Sequence, residues 1–229
     1  MVTPPMPSSP FSPPPLLVFD LDGTLVDSLD DLTAVLNRLP ARAGLPALDA
    51  DIVRPMVGDG VGALVARAMT HDGRVATPTD VTDYLAIYGA ATAVRTRPFE
   101  GIPDMLEACA RRGWRLAVCT NKPHAAARTL LESLGLRAYF AAIGGGDSFT
   151  SRKPAPGHLV ATIAAAEGAL GRAVMIGDHH NDIAAAAAAH VPSIFASWGY
   201  GTAAMGAAAD AVATRVADLP EHAARLLGA

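Results

Sequence analysis

Thirteen residues near the start of the chain, LLVFDLDGTLVDS from Leu16 to Ser28, set Asp20, Asp22 and Asp27 against an apolar run. Leu16 to Phe19 are continuously apolar and lead into a Gly/Thr turn, the pattern of a strand covered on both faces, as in parallel sheets. Asp20 then stands at the strand's carboxyl end, the edge at which open α/β sheets bind their ligands. Two acids so close together need a counter-charge, so the stretch points to a cation site. Asp27 reads as a turn or helix-entry residue.

Three further stretches supply what such a site lacks. The run from Arg115 ends in Thr120 and Asn121, a hydroxyl and an amide that can bind a phosphate oxygen without adding charge. GDHHND places Asp178 at another strand tip and Asp182 one helical turn later. Lys153 stands between them in SRKPAP, where Pro154 and Pro156 stiffen the loop that presents it. Brought to one place, these groups fit phosphoryl transfer. Asp20, Asp178 and a backbone carbonyl near Asp22 can hold magnesium (Mg2+), whose octahedron waters complete. Asp20 can attack phosphorus, and Asp22 can protonate the leaving oxygen and later take a proton from water. Thr120 and Lys153 can stabilise the equatorial oxygens. His179 and His180 resemble a metal pair, but adjacent residues at a helix start are expected to point apart and to serve helix entry.

The elements that must position these residues follow from the apolar pattern. Strand runs recur at Leu16 to Asp20, Arg115 to Thr120, Tyr139 to Gly144, Ala173 to Asp178 and Pro192 to Ser197, with helical segments between them. That rhythm predicts an α/β fold with a doubly wound parallel five-stranded sheet. About 95 residues separate the first run from the second, far more than a crossover helix needs. Within them, Ser28 with Asp31 predicts a capping box ahead of Leu29, Leu32, Val35, Leu36 and Leu39 at helical spacing. Val57, Val61, Leu64, Val65 and Ala68 form a second such face, and Thr77, Pro78 and Asp80 open a third helix carrying Tyr84, Leu85 and Tyr88. Residues 29–96 are therefore expected to be an inserted helical domain, with residues 16–28 and 97–229 as the α/β core. The alanine run from Ala184 is expected to pack a helix close to the sheet, and His190 to end that helix at positive φ.

Composition bounds the remaining choices. At 229 residues, 51% hydrophobic and 17% charged, the chain can bury one core and carry a small second domain. A net charge of −4 gives no basic face, so neither nucleic acid nor an anionic membrane is an expected partner. No apolar stretch is long enough for a transmembrane helix. Seven of the first fifteen residues are proline, which predicts a disordered tail over 1–15 rather than a secretory signal. Cys109 and Cys119 are expected to be buried free thiols in a reducing cytoplasm.

DLDGTLVDS, CTN, the lysine of RKPAP and GDHHND resemble, in order and spacing, the four motifs of the haloacid dehalogenase superfamily phosphatases. The resemblance covers nearly everything after the tail. It implies Asp20 as nucleophile, Asp22 as acid/base, Asp178 as metal ligand, Asp182 as a further acid of the site, and Thr120 and Lys153 as phosphate binders. It also implies that 29–96 is a cap of the C1 type. Within the superfamily, RPFEGIPDMLEACARRGWRLAVCTNKP, VRPMVGDGVGALVARAM and the late GYG are most similar to phosphoglycolate phosphatases. The GDGVG loop, with Gly58 and Gly60, is then expected to face substrate, and Arg54 to pair with a substrate carboxylate. The implied partner is a small phosphorylated metabolite, 2-phosphoglycolate foremost, on a monomer or homodimer. Phosphatases of sugar phosphates or pyrophosphate, a mutase of the β-phosphoglucomutase kind and a non-catalytic phosphate-binding module are the alternatives.

Overall fold

The apolar runs pair into one parallel sheet whose carboxyl edge gathers the motif residues. The computed structural model describes residues 13–90 and 93–228. Its strands are β1 (Leu16–Phe19), β2 (Val26–Asp27), β3 (Arg97–Pro98), β4 (Arg115–Cys119), β5 (Ala142–Gly144), β6 (Ala173–Gly177), β7 (Ser193–Ala196) and β8 (Ala211–Ala213). All but β2 and β3 form a single sheet in the order β5-β4-β1-β6-β7-β8, every pair parallel. Phe19 stands opposite both Val118 and Ile176, so the three central strands end nearly level. Asp20, Thr120 and Asp178 therefore emerge side by side. Of the proline-rich stretch, residues 1–12 lie outside the described residues, whereas Pro15 is buried and its carbonyl accepts the Arg115 N–H.

The sheet has six strands where five were expected. The addition, β8, is three residues long, and its alanines carry little β propensity, which leaves almost no periodic signal to read. The third expected run shortens to β5 because Arg137–Tyr139 winds into a 3-10 turn first.

Helices α1 (Leu29–Asn37), α2 (Ala50–Val53), α3 (Val61–His71) and α4 (Pro78–Ala90) fall between β2 and β3. Helices α5 (Ile102–Arg111), α6 (His124–Ser133), α7 (Pro156–Ala165), α8 (His180–Ala188) and α9 (Leu219–Leu227) follow and cover the sheet. Alternation along the strands sorts the core into two faces. Leu17, Phe19, Leu116 and Val118 pack with side chains of α5, α6 and α9, while Leu16, Val18, Ala117 and Cys119 pack with those of α7 and α8. Ala185 and Ala186 are fully buried, so the alanine run does place α8 close to its neighbours. Both cysteines are free and buried, and His190 ends the turn after α8 at φ 55°.

The helices between β2 and β3 have an apolar cluster of their own, with Leu36, Val53, Val65, Tyr84 and Tyr88 at its centre. Their two connections to the sheet are tied together, since Val26 pairs with Pro98 and Asp27 with Arg97. A helix does start at Thr77, Pro78 and Asp80 as expected, and there Thr77 and Asp80 form a reciprocal cap. The capping box expected at Ser28 and Asp31 does not form. Ser28 Oγ donates instead to Asp22 at 2.6 Å. Asp31, buried, accepts the Arg95 and Thr96 N–H groups and the Thr96 hydroxyl. Each side chain finds a stronger partner in the chain's return from the insertion or in the acidic site than the helix terminus offers.

Asp31 thus clamps the returning connection at a buried point. Asp31→Ala leaves two amides and a hydroxyl without their acceptor, and it is expected to cost about 2–4 kcal/mol of stability. Urea unfolding should show a lower midpoint with an unchanged m-value.

Candidate active site

Lys153 is the centre of the site. It is 2% exposed, and its ammonium lies 3.0 Å from Asp20 Oδ1 and 2.5 Å from Asp182 Oδ1. Burial alone would push its pKa down, but Asp182 and Asp20 reverse that and hold it well above the usual lysine range. The loop that delivers Lys153 is fixed from below, because His158 Nδ1 accepts the Lys153 N–H and Asn121 Nδ2 donates to the Lys153 carbonyl. Asp20 is oriented by its own turn, Oδ1 accepting the Leu21 N–H at 2.7 Å. Asp182 also accepts the His179 N–H, closing a capping box at the start of α8.

Asp178 stands on the other side of Asp20. Its Oδ1 accepts the Thr24 hydroxyl, and its Oδ2 accepts the Tyr200 and Gly201 amides. Those amides come from the GYG stretch, which presses directly on the acid. A Cβ on Gly199 would lie 2.3 Å from Asp178 Cβ, and one on Gly23, at φ +87°, would lie 2.4 Å from Asp178 Oδ2. Asp20, Asp178 and Asp182 bring carboxylate oxygens within 4.8 Å of one another. Burial first and Asp20 second push Asp178 up to about 7, the mark of acids crowded together without enough positive charge. An all-oxygen donor set of this kind fits a hard divalent cation.

Asp22 has a separate partner that the sequence reading missed. Lys122 bonds both of its oxygens, at 3.0 and 2.9 Å, and lies 4.5 Å from the centre of the Tyr88 ring in α4. A cation one residue beyond the Thr120-Asn121 pair was a visible signal. Ser28 completes the cluster and connects it to α1. There the Tyr200 hydroxyl, contributed from far along the chain, accepts the Ser28 and Leu29 N–H groups and donates to Asp27.

A solvent-connected cavity opens over Asp20 and Asp22. Thr120, Asn121 and Lys122 line its core side, and Gly58, Gly60, Leu64, Tyr84 and Tyr88 line its far side. The Gly58 carbonyl accepts the Asn121 amide at 3.0 Å, which seats that loop against the strand tips. Arg54 lies elsewhere. It is absent from the lining, half-exposed, beside Asp51 and 5.8 Å from the Tyr200 ring centre. His179 and His180 do not point apart, their rings being 4.1 Å between centres. His179 serves helix entry, its Nδ1 accepting the Asn181 N–H. With Asp59 the two histidines form a second cluster of potential ligands, in which Asp59 is already paired with Arg67 and bonded by Asn181.

The site thus combines an acid at the tip of a central parallel strand, a second acid two residues on, a buried lysine and an acidic turn opening a helix. Residues 17–196 match the model of the haloacid dehalogenase-like hydrolases. The chain belongs to that family. It is 43% identical over 199 residues to a phosphoglycolate phosphatase of Agrobacterium fabrum, covering 85% of this chain and 84% of the relative. It is 42% identical over 195 residues to one of Rhodospirillum rubrum, covering 82% and 81%. The crystal structure of a phosphoglycolate phosphatase predicted for Haemophilus somnus superposes with a TM-score of 0.83 at 27% identity, covering 91% of this chain and 97% of that one. This haloacid dehalogenase-like chain is therefore a hydrolase, and the named relatives are phosphatases. Among its described residues no helix is long and apolar enough to cross a membrane.

Two consequences can be measured. Gly199→Ala must displace Asp178 or the GYG loop, and a misplacement near 1 Å is expected to lower kcat/KM at least about 100-fold in steady-state assays. His158 is buried and kept neutral, its pKa pushed down to about 4 by burial and then by Lys153. A histidine depressed in this way contributes stability that is present above its unfolded pKa and is lost as pH falls toward the folded value. The stability difference between wild type and His158→Asn should therefore shift against the wild type as pH falls from about 6.5 to about 4, read by denaturant unfolding at each pH.

Proposed function

We propose that the chain is a Mg2+-dependent phosphatase that hydrolyses 2-phosphoglycolate to glycolate and phosphate through an aspartyl phosphate on Asp20. The observation that carries this reading is Asp20 itself, held at the tip of β1 between one buried lysine and a second buried acid at the mouth of a cavity. The names of the relatives support the phosphatase class and point to this substrate.

The roles follow from placement. Asp20, Asp178 and the main chain at Asp22 would hold the cation, which when bound offsets the acids and draws charge from the phosphate oxygens. Lys153 and Thr120 flank Asp20 and would bind the remaining oxygens of the phosphoryl group, with Asn121 bracing the loop that carries Lys153. Asp20 attacks phosphorus as the ester oxygen leaves. Asp22, two residues on and outside that cluster of acids, protonates the leaving oxygen. It then takes a proton from the water that opens the aspartyl phosphate. Residues 29–96 act as a cap over the core of 16–28 and 97–229, and the Gly58–Gly60 turn closes the cavity against bulk water. Asp182 keeps Lys153 charged and in position.

The test is phosphate release by the purified chain across 2-phosphoglycolate, hexose phosphates and pyrophosphate, with Mg2+ and with chelator. Metal-dependent release that is fastest from 2-phosphoglycolate is expected. Interconversion of sugar phosphates without phosphate release would make the chain a mutase, and no turnover of any ester would leave a binding module. Asp20→Asn removes both the nucleophile and a charged ligand, and is expected to lower kcat by at least about 1,000-fold. A loss within tenfold would refute Asp20 as nucleophile.

A further inference from the structure

Lys122 remains without a role in that scheme, although it is the one cationic side chain among the described residues that line the cavity. It is 6% exposed and spans two units of the molecule, bonded to Asp22 of the core and set against the ring of Tyr88 in α4. We propose that Lys122 determines specificity by binding the carboxylate of the leaving group, the task that Arg54 is placed too far out to perform. This assignment rests on the phosphatase reading above and deepens it.

The argument starts from Asp22. If Asp22 protonates the leaving oxygen, that oxygen must sit on the Asp22 carboxylate when the bond breaks. Lys122 Nζ is within 3.0 Å of both oxygens of that carboxylate. Whatever is bonded to the leaving oxygen therefore starts beside the ammonium. In glycolate the carboxylate carbon is only two bonds from that oxygen, so an anion meets the cation with no intervening chain. Lys122 then shares its charge between Asp22 and the substrate, and it needs no rearrangement to do so.

The rest of the cavity argues against other leaving groups. Opposite Lys122, the wall contributed by the insertion is mostly hydrocarbon and aromatic ring, chiefly Leu32, Val61, Leu64 and Leu85. A hexose would press several hydroxyls against that wall, and each hydroxyl that loses water without gaining a partner weakens binding. A two-carbon acid presents one charged end and nothing further to satisfy. The lining holds two polar groups in waiting: on the core side the Asn121 Oδ1 is an acceptor without a partner among the described residues, and on the insertion side there is a donor. Tyr84, 1% exposed and part of the lining, carries a hydroxyl with no hydrogen-bond partner among the described residues. Its ring lies nearly parallel to that of Tyr88, 6.2 Å between centres, on the same side of the cavity as the Lys122 contact. A substrate carboxylate oxygen is the acceptor that this buried donor lacks.

The experiment compares 2-phosphoglycolate with ethyl phosphate, which keeps the two-carbon ester and removes the anion. Wild type is expected to prefer 2-phosphoglycolate. In Lys122→Met that preference, taken as the ratio of the two kcat/KM values, should fall about 30-fold or more, mainly through a raised KM for 2-phosphoglycolate, as expected when a buried charge loses its partner. Lys122→Arg, which keeps the charge, should retain most of the preference. Lys122→Gln answers the same question if the methionine variant does not fold. Equal losses on both substrates would show that Lys122 serves only to hold Asp22, and would overturn the proposal while leaving the phosphatase intact. A wild type that cleaves both esters without preference overturns the proposal together with the phosphoglycolate reading. A wild type that cleaves neither refutes the phosphatase reading and with it this one.

Discussion

A single buried ammonium, that of Lys153, makes the arrangement of acids possible. Carboxylates brought out of water within a few ångströms of each other repel strongly, and neither burial nor hydrogen bonding removes that repulsion. Lys153 places one positive charge between Asp20 and Asp182 and leaves Asp178 on the far side, where burial and Asp20 push its pKa up. The core thus holds acids that are partly but not fully compensated. A bound divalent cation would complete that balance, and a phosphoryl group bound to the cation and Lys153 would find its charge already matched. Much of the surrounding structure reads as support for this one balance. His158 and Asn121 fix the Lys153 loop, α8 begins on the Asp182 carboxylate, and the GYG amides and Thr24 hold Asp178.

A second charge pair, Lys122 with Asp22, is insulated from the first by the turn that separates Asp20 from Asp22. The separation has a chemical use. In the proposed reaction the nucleophile would need an environment built for phosphate and metal, whereas the acid/base group would have to face a leaving group that changes from one substrate to another. Lys122 and Ser28 hold Asp22 toward the insertion, and Tyr200 ties the start of α1 to the same loop that holds Asp178. A movement of the insertion would therefore be felt at Asp22 through Tyr88 and Lys122, and at Asp178 through the GYG loop.

What could be read from the sequence and what could not divide along a physical line. The strand tips and their acids were legible because a continuous apolar run that ends in aspartate has few alternative explanations. The insertion was legible because an interval that long cannot be a crossover. Residues whose role depends on a distant partner were not legible. Ser28 and Asp31 have the spacing of a capping box, yet Asp22 and Thr96 outcompete the helix terminus for them. Tyr200 completes the start of α1 from 171 residues away along the chain, and no local pattern announces it. Arg54 has the charge and the place in the sequence of a carboxylate reader, but its side chain lies beside Asp51, off the cavity lining. The strand β8 escaped because an Ala-Val-Ala edge strand gains its stability from its neighbour β7 and not from its own side chains.

The same division explains why the family's chemistry and its specificity are carried by different kinds of residue. The acids and Thr120 proposed to touch phosphate or metal stand at the carboxyl ends of β1, β4 and β6, strands braced on both sides, and Lys153 is held against them by its loop's bonds to His158 and Asn121. The groups that would meet the leaving group come from α1, α3 and α4 and from the turn at Gly58, elements that pack in an apolar cluster of their own, joined to the core through β2 and β3, polar contacts and the packing of Phe99, Ala126 and Tyr200. Substituting a wall residue such as Leu64 or Leu85 alters the shape offered to a leaving group without touching the charge balance at Lys153. Lys122 is the exception, because it belongs to the rigid edge by its backbone and to the variable wall by its contact with Tyr88. A change there cannot be made without consequence for Asp22, so recognition by Lys122 is bound to the chemistry in a way that recognition by the apolar wall is not.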